Sequence, residues 1–271
     1  MIKCIHTNKE YDNQSERLKA IIDHKSDIIA MKKAAIKMSD SVAMSVEKEL
    51  TKSVNAERLL EIGDTIEVVI NTTNYLDSHD DVHMTGIWTK SVKEQQGKVY
   101  HVTDHNLSLG NVVAYPKDVE MYVESVPWQE LGYAYSGNTE ALKFRTKITD
   151  KTNLDAFRAY RDNVGIQHSI RMSYVDIKMA INDESDKEGF ALWNATINQI
   201  VNREKAEAQG FYFVVKEAKI CQEGSTVLLG SNDATPYLGF TRDNEPPVVG
   251  TQGSEPKEID FVAMCKQVSF K

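Results

Sequence analysis

The sequence is poor in cysteine. Cys4, Cys221 and Cys265 are odd in number and widely spaced, and no CxxC occurs in the 271 residues. That excludes a disulfide scaffold and a structural zinc site, and fits free thiols in a reducing compartment. No apolar run approaches the roughly 20 residues that cross a bilayer, so no membrane partner is expected. The N-terminus lacks a basic segment followed by an apolar one, so no secretory signal is expected. A basic block is missing too: 40 acidic residues stand against 32 basic ones, for a net charge of −8. Phosphate neutralisation needs clustered Lys and Arg, so no nucleic-acid partner is expected. Gly-rich phosphate loops, a dinucleotide fingerprint, HExxH and GxSxG are all lacking, and no cofactor is expected. What remains is ample core material. Hydrophobic residues make up 41% and charged residues 27% of the chain, which argues for folding over disorder.

The chain reads in three parts. Residues 1–62 form a helical N-terminal extension. Over 14–38, Leu18, Ile21, Ile22, Ile28, Ile29, Met31 and Ile36 approximate one helical face, with Asn13 or Ser15 as the cap. Lys32, Lys33 and Lys37 read as a solvated face, with a partner-binding helix as the alternative. A second helix is expected over 44–60. Residues 63–240 are the main domain, of α+β class. Strands are expected over 65–73, 98–102, 111–115, 119–126, 141–148, 165–177, 211–218 and 220–229, and helices over 150–164 and 188–209. Residues 241–271, which hold Pro246, Pro247 and Pro256, read as a flexible linker and tail.

Two chemistries are on offer. His79 and His83 are four apart, as are His101 and His105, and Asp80, Asp81 and Asp104 lie beside them. That spacing suits a His-ligated metal hydrolase, although neither pair sits in a recognised zinc motif, and solvated loop histidines are the plainer reading. The other chemistry is a serine nucleophile with a histidine base. Ser169 lies in the middle of an alternating strand, with Ile170, Met172 and Tyr174 on one side and Ser169, Arg171 and Ser173 on the other. Adjacent His168 points to the opposite face, so it is a poor base for Ser169. His105, in an Asp-His-Asn turn, is the natural candidate.

Four segments, in order, resemble the prohead (capsid maturation) proteases of tailed phages, whose fold is like that of herpesvirus assemblin. They are 71–86 (NTTNYLDSHDDVHMTG), 99–110 (VYHVTDHNLSLG), 165–174 (GIQHSIRMSY) and 215–236 (VKEAKICQEGSTVLLGSNDATP). The resemblance covers about 65–240, and the stretch 32–40 (KKAAIKMSD) is similar to an extension of some phage members. It implies a mainly antiparallel, β-barrel-like core flanked by helices. It implies Ser169 as nucleophile, His105 as general base and Glu223 as orienting group, with Asp104 and His79 as alternatives for the third role. In the family a small residue and a Gly often follow the serine. Ile170 and Arg171 stand there instead, which leaves the oxyanion donors unassigned. Arg171 shares the face of Ser169 and is a candidate for oxyanion support; a solvent salt bridge is its other reading.

The resemblance further implies a serine endopeptidase that cleaves itself, the scaffold protein and the N-terminal region of the major capsid protein. It would act as a homo-oligomer within the prohead, in the host cell cytoplasm. A non-catalytic capsid-assembly or scaffold protein is the main rival.

Overall fold

The chain begins with a short hairpin, β1 (Ile2–Cys4) against β2 (Lys9–Tyr11), and continues into α1 (Gln14–Asp23) and α2 (Lys25–Ala34). The structure, a computed structural model, describes residues 1–38 and 58–242. The single helix expected over 14–38 is therefore two. Asn13 caps α1 by accepting from the Glu16 N–H, and the backbone departs from helical angles at His24. Five consecutive polar residues, 23–27, interrupt the apolar stripe there. Most of the second expected helix, and all of the tail beyond 242, lie outside the described residues.

The main domain follows as β3 (Thr65–Thr72), β4 (Asp81–His83), α3 (Thr89–Gln95), β5 (Tyr100–Thr103), β6 (Val112–Ala114), β7 (Val119–Pro127) and β8 (Asn138–Lys147). Then come α4 (Leu154–Arg161), β9 (Gln167–Ile181), α5 (Lys187–Thr196), α6 (Arg203–Gln209), β10 (Phe211–Val227) and β11 (Tyr237–Thr241). The helix expected over 188–209 is broken between α5 and α6, where a 3-10 turn spans Ile197–Gln199. Gly210 ends α6 in the left-handed region at φ 79°, a conformation that suits glycine. The two strands expected over 211–229 are one 17-residue strand with an irregular middle: between Ile220 and Gly224 the register shifts, and Gln222 takes φ 71°.

β10 organises one sheet. Along one edge it pairs antiparallel with β9 over almost its whole length. Along the other it pairs in parallel with β4 at Phe213–Val215 and with β5 at Glu223–Thr226, and β6 extends the sheet beyond β5. The second sheet, ordered β11-β3-β8-β7, is antiparallel throughout. Ile66, Val68, Ile70, Leu142 and Phe144 from this sheet pack in one cluster with Ile170, Met172, Tyr174, Phe211 and Phe213 from the other. The architecture is α+β, but the expected barrel-like closure is not seen among the described residues. Two open sheets face one another, and the larger is mixed because both β4 and β5 run parallel to β10.

The N-terminal helices join the same core through Ile21 and Ile28, which are buried against it. Lys32, expected on a solvated face, is 6% exposed. Its ammonium bonds the Asp81 carboxylate, donates to the His79 carbonyl at 2.9 Å and lies 4.0 Å from the Phe213 ring centre. Asp81 also accepts from the Tyr174 hydroxyl at 2.7 Å. Burial alone would raise the Asp81 carboxyl, but Lys32 and Tyr174 outweigh it and hold it below its ordinary value. Removing one partner of such a pair leaves an uncompensated buried charge. Lys32→Met is accordingly expected to cost about 3–5 kcal/mol of unfolding free energy. Urea denaturation at neutral pH measures it, and a loss under about 1 kcal/mol would show that the pair contributes no more than an exposed one.

Candidate active site

His105 lies two residues beyond the end of β5. Asp104 and His105 both adopt left-handed backbone angles, φ 51° and 53°, which fold the chain back at the end of the strand. Polar residues with short side chains tolerate that region best, which fits an Asp-His-Asn turn. Three backbone bonds hold the turn: Asp104 N–H to the Thr226 carbonyl (2.9 Å), Asn106 N–H to the Thr103 carbonyl (3.0 Å), and His105 N–H to Ser225 Oγ (2.9 Å). The His105 ring is thereby fixed against the end of β10.

There it meets Glu223. Nδ1 of His105 lies 2.8 Å from Glu223 Oε1, the side chains being 7% and 0% exposed. A carboxylate accepts, so Nδ1 carries the proton and Nε2 becomes the basic nitrogen. The second carboxylate oxygen of Glu223 is buried and has no hydrogen-bond partner. Gly224 explains how this stretch of β10 fits. A Cβ at that position would stand 2.5 Å from Phe144 Cε2, so only glycine lets the strand approach the facing sheet. Glu223 and Ser225, on either side of Gly224, project to the opposite face.

Ser169 belongs to the same face. β9 and β10 pair Ser169 with Ser225, and directly opposed residues carry Cβ atoms about 5 Å apart. Ser225 therefore lies between the other two, opposite Ser169 across the ladder and bonded to the His105 backbone. Ser169 is 7% exposed and contributes to a small cavity with Met38, Ile170 and Met172. Arg171 lies two residues further along the same face, and its buried Nε has no hydrogen-bond partner. Among the described residues it forms no salt bridge.

Two further candidates, His168 and His79, line the same small cavity as Ser169. His168 is wholly buried. Its backbone N–H donates to Thr235 Oγ1, Nδ1 meets the Thr235 carbonyl at 2.9 Å, and Nε2 meets the Tyr160 hydroxyl at 2.9 Å. Burial pushes this imidazole down to about 4, with the Thr235 carbonyl pulling weakly the other way. The neighbour of Ser169 is thus a neutral structural ring. Asp104 holds the turn through its backbone, while its residue is exposed.

His79, beside the cavity of Ser169, also belongs to a second cluster. Its ligand atom lies within 4.8 Å of those of Asp77 and Asp81. The pairs read as metal ligands do not converge as pairs. His83 Nδ1 meets Asn71 Oδ1 at 3.1 Å, and His101 bonds Thr146 and Thr226 through its two nitrogens. In the cluster itself, Lys32 already supplies a positive charge. Burial and the neighbouring Asp81 push the Asp77 carboxyl up to about 8.

Sequence reasoning missed Ser225. It sits within the Glu-Gly-Ser stretch that drew attention to Glu223, but its bond to the His105 backbone requires a turn that only the fold creates. No protein-family model matches the chain, and neither a curated protein nor a solved structure does.

Proposed function

We propose that the protein is a serine endopeptidase of the prohead-protease type, with Ser169 as nucleophile, His105 as general base and Glu223 as the residue that orients it. The observation that carries this reading is the 2.8 Å bond from His105 Nδ1 to a fully buried carboxylate, on the sheet face that also bears Ser169. A surface histidine has no need of such a partner; a base that must present Nε2 in one tautomer does.

In this mechanism Ser169 Oγ attacks the scissile carbonyl carbon as its proton passes to His105 Nε2. Glu223 stabilises the imidazolium that forms. The imidazolium then gives that proton to the leaving amine, leaving an acyl-enzyme on Ser169. Water, deprotonated by the same nitrogen, releases the acid and restores the serine. Arg171 is a candidate to stabilise the oxyanion, because its buried unpartnered Nε–H keeps a donor in reserve on that face. The substrates on this reading are the scaffold, the N-terminal region of the major capsid protein and the chain itself.

The test is labelling with a fluorophosphonate, which phosphonylates activated serines. Intact mass and peptide mapping should show one adduct, on Ser169, abolished in Ser169→Ala and in His105→Ala. Co-expression with the capsid and scaffold proteins should then show processing by the unaltered chain only. Equal labelling of the Ser169→Ala chain, or processing that persists in it, would overturn the assignment.

A further inference from the structure

β9 has two edges. β10 occupies one. On the other, among the described residues, a single segment is hydrogen-bonded as a strand would be: Lys37 N–H donates to the Met172 carbonyl at 2.7 Å, and Met172 N–H donates to the Lys37 carbonyl at 3.0 Å. Both bonds joining the same two residues is the signature of an antiparallel ladder. The chain enters this pairing directly from α2, whose last cap, Ala35, is already extended (φ −81°, ψ 139°).

Three features make this contact more than a stray bridge. First, its direction. Antiparallel pairing means that the segment advances towards Ser169 as its residue number rises. Ser169 lies three residues from Met172 along β9, about 10 Å, and Met38 lines the same small cavity as Ser169. Second, its chemistry. Ile36 is 51% exposed and Met38 37%, so these two side chains pack little; the two main-chain bonds, with the Lys37 ammonium over the Tyr174 ring at 5.8 Å, hold the segment. Main-chain bonds are how a sheet edge takes up extended polypeptide regardless of sequence. Third, its anchor. Lys32, five residues before Lys37, is buried in its ion pair with Asp81 and fixes the approach of the segment.

We propose that residues 35–38 are an intramolecular occupant of the polypeptide-binding edge of β9, competing there with extended substrate chains. The proposal rests on the protease reading for its consequence, namely that the free enzyme is held at low affinity for other chains. It rests on the pairing itself for its physical content. A site filled part of the time by its own chain binds other chains more weakly in proportion to that occupancy.

The experiment uses the full chain in a Ser169→Ala background, so that binding is read without hydrolysis. The probe is fluorescein-labelled β-casein, an unfolded polypeptide, followed by fluorescence anisotropy. Lys37→Pro deletes the N–H given to Met172, whereas Lys37→Arg keeps both main-chain bonds and a cation beside the Tyr174 ring. Loss of one such bond corresponds to about a tenfold change. Lys37→Pro is therefore expected to bind casein about tenfold more tightly, and its Met172 amide to exchange hydrogen about tenfold faster, with Lys37→Arg unchanged in both respects. Met38→Asp, which lies outside the core, gives a second reading in the same direction should Lys37→Pro fail to melt cooperatively. Casein affinity unaltered by either variant, or a Met172 amide as protected in Lys37→Pro as before, would overturn the proposal. An unaltered chain that never labels at Ser169 would overturn the protease reading alone, because the binding measurement requires no catalysis.

Discussion

Glu223→Gln is expected to lower kcat on peptide substrates by roughly 10³–10⁴-fold while leaving the chain as stable as before, or more so. Glutamine can offer its N–H₂ to His105 Nδ1, which selects the tautomer that puts the proton on Nε2. The base is then protonated where it must accept, and the imidazolium loses its counter-charge. Stability should move the other way. Glu223 is fully buried, one of its oxygens accepts from His105, and the other has no partner. Replacing a buried, half-satisfied carboxylate with a neutral amide of the same shape removes a desolvation cost. Each kcal/mol gained would raise the melting temperature by about 2–4 °C in a chain of this size. Casein hydrolysis and a thermal melt of the same sample decide the matter. Undiminished hydrolysis would remove Glu223 from the mechanism, and a marked fall in melting temperature would show the carboxylate to be chiefly structural.

Acidification from pH 6.5 to 4 is expected to destabilise the fold steeply, before most carboxylates titrate. His83 and His168 are wholly buried and pushed down to about 4 by burial, and buried His101 moves well down in the same way. Once unfolded, each ring takes a proton near its ordinary value of about 6.5. Between these values the unfolded chain binds more protons than the folded one, so stability falls as the pH falls through that window and is fully present above it. His83 and His168 lose about 3 kcal/mol each by pH 4. Asp77 opposes them. Its raised carboxyl contributes stability that is complete below its unfolded value of 3.8 and is lost as the pH climbs through 8. One carboxyl against three rings leaves a net loss on acidification, and Asp77→Asn should steepen it. Urea midpoints at pH 6.5, 5.5 and 4.5 test this, and midpoints level over that range would refute it.

Much of the architecture was legible because it is written in local pattern. β3, with Ile66, Val68 and Ile70 alternating into the core, lies where its β-branched run placed it, as do β7 and β9 within a few residues. Asn13 caps α1 by accepting from the Glu16 N–H, one of the two residues expected to do so. What was not legible depends on distant partners. β4 consists of Asp81, Val82 and His83, two of them polar, and is a strand only because β10 lies beside it. The irregularity in β10 divides its pattern and made one strand look like two. Lys32 looked solvated because a helical wheel cannot show that Asp81, 49 residues away, waits in the core. In the candidate site the kinds of residue could be listed in advance, but their meeting could not. Ser169 and Ser225 face one another through register, and His105 reaches Glu223 through a turn of two left-handed residues.

That last contact also orders events in time. His105 and Glu223 are 118 residues apart, and Glu223 lies on the strand that completes the larger sheet. At about 5–20 residues per second, a ribosome delivers Glu223 roughly 6–24 seconds after His105. Once Ser169 follows, 64 residues after His105, the nascent chain holds a serine and a histidine but, for 54 residues more, no carboxylate to orient them and no complete β10 to align them. The order of synthesis thus acts as a timer, and the finished constellation first exists when nearly the whole described chain has left the ribosome.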